Sequence, residues 1–245
     1  MPDAVQGDKP IFRSDMTVEL MQSMGSDETV VAAARVSTAA DLSKDALKQD
    51  PEASKGLINF LMKNRHGTPF EHNSMTFFVH APIFVFREFM RHRVGFSYNE
   101  ESGRYRQLRP IFYTPSKKRN LVQIGKPGVY DFIPGDAKQF ALMQTEMKKS
   151  NQQAYESYLA ILNAGVAREV ARMVLPVGIY SSMYVTCNAR SLMSLLSLRT
   201  KHEDSHFPSY PQREIEMVAE QMEAIFAKKM PITYASFEKN GRVSP

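Results

Sequence analysis

Residues 91–105 read RHRVGFSYNEESGRY and gather guanidinium, imidazole, phenol, hydroxyl and carboxylate groups within fifteen positions. Arginine carries a rigid planar fork that matches phosphate and carboxylate oxygens and stacks on flat rings. Across 87–109 six arginines stand against three glutamates. A merely solvated surface would more often use lysine, so this run suits a phosphorylated, ring-bearing ligand. The competing reading is an arginine-rich helix end followed by a solvated loop.

Two other groups carry possible chemistry. Cys187 is the single cysteine, which excludes an intramolecular disulfide framework and a cysteine metal cluster and fits a reducing cytosol. A thiolate nucleophile needs an electropositive, partly exposed setting. Cys187 follows Tyr184, Val185 and Thr186 in what reads as mid-helix, so buried filler is the expectation. His202-Glu-Asp-Ser-His206 fits the H-E-x-x-H pattern, but zinc hydrolysis requires that pattern on a helix with an apolar face and a third ligand. Here the segment is polar on all sides and runs into Phe207–Pro208, so a loop without a metal is expected.

The elements that must position these groups are read from periodicity and punctuation. Met16–Met24 reads as a strand, and Ser26–Asp27 caps a helix running through Ala32–Ala34. After the uneven polar stretch Asp41–Ser54, the segment from Gly56 is helical and stops at Arg65–His66–Gly67, leaving His66–Glu71 as a loop. Met75–His80 reads as a strand, and Pro82 opens a helix whose C-terminal end carries Arg91–Arg93, where cations complement the helix dipole. Four prolines and three glycines make 110–135 a long irregular connection. A long amphipathic helix over 137–164 carries Tyr155, Tyr158, Leu159 and Leu162 at helical spacing. A shorter helix over 167–174 ends at Pro176, and a third is predicted over 183–199. On that third helix Asn188, Ser191, Leu195 and Arg199 share a stripe, with Arg199 roughly 16 Å beyond Asn188. The last predicted helix is 212–227. No internal repeat and no linker separating two domains is visible.

Composition bounds the class. A chain of 245 residues, 43% hydrophobic and 23% charged, is of ordinary globular type with length enough for a sizeable core. A formal charge of +5 favours anionic metabolites without requiring nucleic acid. The N-terminal residues lack a basic region followed by an apolar run, and no window approaches the roughly 18–20 apolar residues that span a bilayer. A cytoplasmic protein without a membrane partner is expected.

The RHR triplet, a spacer and Ser102-Gly-Arg-Tyr105 closely resemble the signature of the flavin-dependent thymidylate synthases. Further matching segments come in the same order: His66-Gly-Thr-Pro-Phe-Glu-His72, Ala81-Pro-Ile-Phe-Val85, Arg168-Glu-Val-Ala-Arg-Met-Val-Leu-Pro176 and Cys187-Asn-Ala-Arg-Ser-Leu-Met193. The resemblance covers about residues 16–240. It implies a single α+β domain, an antiparallel sheet flanked by long helices, assembled as a homotetramer with active sites shared between subunits. It also implies the chemistry. NADPH reduces bound FAD, methylene-tetrahydrofolate gives a one-carbon unit, and flavin hydride completes the conversion of dUMP to dTMP, without a cysteine nucleophile or a metal.

By the same resemblance, His66, Thr68, Glu71, Arg91, His92, Arg93, Glu100, Asn188, Arg190 and Ser194 contact FAD. The cations among them would stabilise the diphosphate and the anionic reduced flavin. Glu88, Arg91, Ser102, Gly103, Arg104 and Arg172 bind the pyrimidine mononucleotide, while Arg168 makes a structural ion pair. Arg199 is assigned to chemistry, holding the uracil ring and favouring its ionised form. Three departures stand out. The family places seven residues between RHR and the serine, whereas this chain has eight, Val94–Glu101, with Gly95 or Phe96 as the extra one. Glu88 replaces a glutamine of some relatives, and Ser194 an asparagine. Two alternatives remain: the same reaction on UMP in modified-nucleoside biosynthesis, and an RNA-binding module using Arg and Tyr of 91–109 for phosphates and stacking.

Overall fold

The computed structural model describes residues 7–39, 51–126 and 129–245. In chain order they form β1 (Ile11–Arg13), β2 (Thr17–Met24), α1 (Asp27–Arg35), α2 (Pro51–Lys63), β3 (Ser74–Pro82), α3 (Ile83–Phe89) and β4 (Phe96–Glu100). Next come β5 (Ile111–Tyr113), β6 (Val122–Lys126), β7 (Val129–Ile133), α4 (Ala137–Asn163), α5 (Arg168–Ala171) and β8 (Tyr180–Cys187). The chain closes with α6 (Ala189–Arg199), α7 (Arg213–Lys229) and α8 (Pro231–Lys239). This is an α+β fold. Of the polar stretch 41–54 only 51–54 are described, and they open α2. No helix among the described residues is long and apolar enough to cross a membrane.

The contacts gather into two compact units. The first unites the stretch ending at Met16 with His80–Glu88 and Glu100–Met183; the second unites Thr17–Val79, Phe89–Asn99 and Tyr184–Pro245. In the core of the first unit, the aromatic stripe of α4 packs against the segment C-terminal to the arginine run. Tyr155 and Tyr158 bury with Leu108, Phe112, Ala171 and Ile179, and Phe12, Leu159 and Leu162 close over them. Each tyrosine keeps its hydroxyl satisfied on the loop it covers. Tyr158 Oη accepts from the Leu108 amide at 3.3 Å, and Tyr155 Oη donates to the Leu108 carbonyl at 3.2 Å. A buried phenol without such a partner would cost free energy.

The second unit stacks α1, α2, α6, α7 and α8, with Val30, Ile58, Leu196, Met222 and Phe226 fully buried. Asp27, at the start of α1, caps α8. Its carboxylate accepts from Ile232 N at 2.9 Å, Thr233 N at 2.8 Å and Thr233 Oγ1 at 2.6 Å. A four-stranded sheet has the order β2-β3-β8-β4, so β3 and β8 are its interior strands.

Four expectations are corrected. The predicted helix over 183–199 is two elements, since β8 runs to Cys187 and α6 begins only at Ala189. Along β8 Met183, Val185 and Cys187 are buried while Tyr184 is exposed. The apolar Tyr184 among the outward positions masks that alternation in the sequence, and so short a run cannot be told from a buried helix by periodicity alone. The break is made by Asn188, whose side chain accepts from Ser191 N at 2.9 Å as an N-cap. The connection 110–135 is not irregular throughout. β5 pairs in parallel with β1, and β6 pairs antiparallel with β7, Val122 opposite Ile133 and Lys126 opposite Val129. The loop at 66–71 contains a 3-10 turn, Thr68–Glu71, and the short helix over 167–174 splits into α5 and a 3-10 turn over Arg172–Val174.

Candidate active site

In the second unit, α3 ends at Phe89 and the chain turns through Arg91–Arg93 into β4. His92 N bonds to the Phe89 carbonyl at 3.0 Å, and Tyr98 Oη lies 2.9 Å from that carbonyl and 2.6 Å from the His92 carbonyl. Tyr98 thereby pins the turn from β4, with its ring stacked on Phe96 and edge-on to Phe89. Arg91 and Arg93 are exposed, whereas His92 is drawn inward. Gly95 makes this approach possible. Its φ is +68°, and a Cβ there would lie 2.1 Å from Ser191 Oγ and 3.2 Å from Asn188 Nδ2. The turn therefore packs against the start of α6 as only glycine allows.

At the far end of α6, Arg199 Nε donates to His92 Nε2 across 3.0 Å. A donor on Nε2 requires that nitrogen to carry the free lone pair, so the imidazole is neutral and protonated at Nδ1. Burial, and then the charge of Arg199, push the His92 pKa down to about 4. His92 is thus a neutral acceptor, and the positive charge of the triplet resides on Arg91 and Arg93.

The 66–72 loop reaches the other end of α6. Phe70 is fully buried and anchors the 3-10 turn, while His66, Thr68 and Glu71 are exposed. Arg190 Nη1 bonds to Glu71 Oε1 at 2.6 Å, and Arg190 Nε to the Pro245 carbonyl at 2.6 Å. A Cβ on Gly67 would sit 2.5 Å from the Arg190 guanidinium carbon, so this glycine makes room for the arginine. Asn73, buried just beyond the loop, accepts from Ala189 N at 2.7 Å and donates to the Phe70 carbonyl at 2.9 Å. It ties the loop to the start of α6. Ser194 is exposed on α6. Gly67, Asn73 and Gly95 were missed as site-forming residues; the only sequence signal was their place in or beside the HGTPFEH and RHRVG runs.

The first unit holds the second cluster. Ser102 Oγ accepts from Arg104 N at 3.3 Å, and Tyr105 N bonds to the Ser102 carbonyl at 3.1 Å, forming a tight turn. Gly103 is buried, and a Cβ on it would meet Leu108 Cδ1 at 3.0 Å and Arg172 Cδ at 3.4 Å. Arg172 therefore runs alongside the turn. Arg104 pairs with Glu169 at 3.1 Å, both side chains about half exposed, a contact worth at most about 1 kcal/mol and readily exchanged for a phosphate. Burial raises the Glu100 pKa and Glu101 adds to this, against the hydrogen bond from Ser181 and the charge of Arg172. Glu88 lies half-buried on α3.

Two groups stand apart. Cys187 ends β8 rather than lying mid-helix; it is 2% exposed, and burial pushes its thiol pKa far up, so it is not a nucleophile in this state. His202–His206 forms turns, not a helix, with His202 Nδ1 3.9 Å from Asp204 Oδ2. Among the described residues no group of three or more His, Cys, Asp or Glu is arranged to hold a metal.

Residues 19–232 match the family model described as thymidylate synthase complementing protein. The chain belongs to this family, the flavin-dependent thymidylate synthases. It is 66% identical over 237 residues to a flavin-dependent thymidylate synthase of Streptomyces avermitilis, covering 97% of this chain and 96% of that one. To the enzyme of the same name from Tropheryma whipplei it is 56% identical, covering 96% and 98%. Among solved structures it resembles the UMP/dUMP methylase PolB from Streptomyces cacaoi bound with 5-Br UMP. There the TM-score is 0.89 at 50% identity, over 97% of this chain and 100% of that one. PolB bound with 5-Br dUMP matches with the same TM-score at 52% identity, over 96% and 100%. The family match runs through the sequence of both compact units.

As a flavin-dependent thymidylate synthase the chain is an enzyme that uses FAD, with NADPH and methylene-tetrahydrofolate as co-substrates. The second unit fits such a cofactor in kind: exposed guanidinium groups at Arg91 and Arg93 suit a diphosphate, and Gly67 and Gly95 keep the backbone bare where the elements meet.

Proposed function

We propose that this enzyme methylates dUMP at ring carbon 5, and that the observation carrying the reading is the guanidinium of Arg199 held on a neutral His92. A fixed cation beside developing negative charge lowers the barrier because its dipoles need no reorganisation during reaction. Arg199 faces the uracil ring and favours its ionised form, raising electron density at carbon 5. His92 orients it from behind. A protonated His92 could not accept that bond and would repel the guanidinium.

Arg91, Arg93, Asn188, Arg190 and Ser194 hold the FAD with His66, Thr68, Glu71 and Glu100, and His92 contacts it as a neutral ring. The chemistry supplied by bound FAD is hydride transfer, drawn from NADPH, to the one-carbon unit taken from methylene-tetrahydrofolate. Ser102, Gly103 and Arg104 bind the nucleotide phosphate and sugar, and Arg172, Arg91 and Glu88 are assigned to the nucleotide as well. The arginines here orient the substrate and balance its charge. No cysteine enters the chemistry, which agrees with the burial of Cys187. The working assembly is a cytoplasmic homotetramer of single-domain subunits with shared sites. Support comes from the exposed apolar residues Ile124, Tyr130, Phe132 and Ile133 of the β6–β7 hairpin, surface of a kind that marks contact with another protein.

Identity to the Streptomyces avermitilis and Tropheryma whipplei thymidylate synthases exceeds that to PolB, which favours dUMP over UMP. The deciding assay is tritium release from 5-tritiated dUMP and, in parallel, 5-tritiated UMP, with FAD, NADPH and methylene-tetrahydrofolate present and each omitted in turn. Release from dUMP alone that requires flavin and folate supports the proposal. Equal or faster release from UMP would make the enzyme a UMP methylase, a reading favoured by the PolB complex with 5-Br UMP, and release from neither would overturn both.

A further inference from the structure

Among the described residues of the second unit Arg242 is the largest side chain that is almost fully buried, 1% exposed, and the proposed chemistry gives it no part. It lies in the left-handed region, φ +57°, directly after Gly241 at +69°. A non-glycine residue pays for that conformation and keeps it only where its surroundings over-determine it. The surroundings are definite. Nη1 pairs with Glu223 Oε1 at 2.6 Å and with Glu238, the guanidinium carbon lies 5.1 Å from the Phe237 ring centre, and Nη2 donates to Thr200 Oγ1 at 2.7 Å. Thr200 is the residue immediately after Arg199. Its hydroxyl hydrogen goes to the Leu196 carbonyl at 2.7 Å, which leaves its lone pairs for Arg242.

The same tail touches α6 at three further points. Ser197 Oγ lies 2.6 Å from the Arg242 carbonyl, Ser244 Oγ donates to the Arg190 carbonyl at 2.9 Å, and the Pro245 carbonyl accepts from Arg190 Nε at 2.6 Å. Residues 242–245 therefore run along α6 from its last turn to its first.

We infer that Arg242 and Thr200 are positioning residues for the reaction: the buried guanidinium grips Thr200 and so sets the end of α6 from which Arg199 reaches His92. The inference rests on the role proposed for Arg199. The two glutamates neutralise Arg242, and its planar fork divides between them and the threonine hydroxyl. A lysine, with a single donor atom, cannot span both. Errors of an ångström in a positioned group are enough to slow chemistry strongly.

The test uses the full-length enzyme loaded with FAD. Arg242→Lys keeps a cation between the glutamates, Thr200→Val keeps the β-branched shape and removes the oxygen, and Thr200→Ser returns it. Arg242→Lys and Thr200→Val are each expected to lower kcat by about tenfold or more, with KM for dUMP and flavin content nearly unchanged. Thr200→Ser recovers the wild-type rate, and the double variant Arg242→Lys/Thr200→Val is no slower than the slower single one. A second readout is the His92 ring nitrogen shift against pH, whose midpoint rises in both single variants as Arg199 withdraws. An unmoved His92 midpoint in Thr200→Val overturns the inference, as does a double variant whose losses multiply, or a Thr200→Ser variant as impaired as Thr200→Val. Should Arg199→Ala turn over normally, the reading of Arg199 fails by itself, and the His92 midpoint alone decides whether Arg242 and Thr200 position the guanidinium.

Discussion

Arg199 and His92, 107 residues apart in sequence, meet through a single hydrogen bond of 3.0 Å from Nε to Nε2. The bond joins the end of α6 to the turn after α3 and exists only while the imidazole is neutral. Burial and the neighbouring guanidinium secure that by holding the His92 pKa at about 4, against its ordinary value of 6.5.

The lowered pKa gives stability a pH dependence of definite sign. Unfolded His92 takes up a proton near pH 6.5 and the folded ring does not until about pH 4, so the unfolded state binds more protons between these values. Relative to His92→Gln, the wild type is expected to lose stability as pH falls from about 6.5 to about 4 and to run parallel above it. Denaturant midpoints across pH 3.5–8 for both proteins measure this; a difference that stays flat would show the ring to be protonated or solvated in the folded state.

Arg199→Ala should bind FAD normally and lose turnover by about 10²–10³-fold, the range for removing one fixed donor from a site of developing charge. Tritium release from dUMP together with flavin absorbance measures both quantities. Wild-type rates in a flavin-loaded variant would remove Arg199 from the chemistry.

Gly95→Ala places a methyl group within 2.1 Å of Ser191 Oγ at a φ of +68°. The backbone alone costs about 1–2 kcal/mol, and relief of the clash must move the 91–95 turn away from α6. Lower thermal stability and weaker FAD binding by flavin fluorescence are expected. Adding Ser191→Ala should recover part of both, and an absence of any recovery would show that the contact with Ser191 is not the cause.

Cys187→Ala should remain active, with a stability loss on the order of 1 kcal/mol for the small cavity. In the native wild type the thiol should resist alkylation until the protein unfolds, since it is 2% exposed with its pKa pushed up by burial. Rapid labelling of the folded enzyme, or abolished turnover in a folded, flavin-loaded variant, would contradict this.

Asp27→Asn weakens a carboxylate that accepts three hydrogen bonds at the start of α8. A loss of about 2–3 kcal/mol is expected from the charge-assisted bonds, with kcat per folded molecule unchanged. Urea unfolding gives the first quantity and assay at low temperature the second.

What the chain by itself determined was local. The RHR and SGRY runs, the HGTPFEH loop and the tyrosine stripe of α4 are legible because hydrogen-bonding types and a 3.6-residue period need no partner to be recognised. The family and its reaction came from those runs in order. The β8–α6 boundary was not legible, since the apolar Tyr184 masks the period of two set by Met183, Val185 and Cys187, and the capping residue Asn188 marks the change. The hairpin at 122–133 was obscured because its flanking prolines and glycines signal turns more strongly than its short strands signal pairing. Above all, tertiary structure decided which charges exist and where they point. The run leaves the charge of His92 open and the fold makes it neutral, because desolvation and Arg199 act on it only after α6 is packed. Arg242 carries no signal in the sequence and is the buried partner of Thr200 in the fold. Contacts between residues far apart in sequence depend on chain closure and burial, and neither is written in the identity of any one residue.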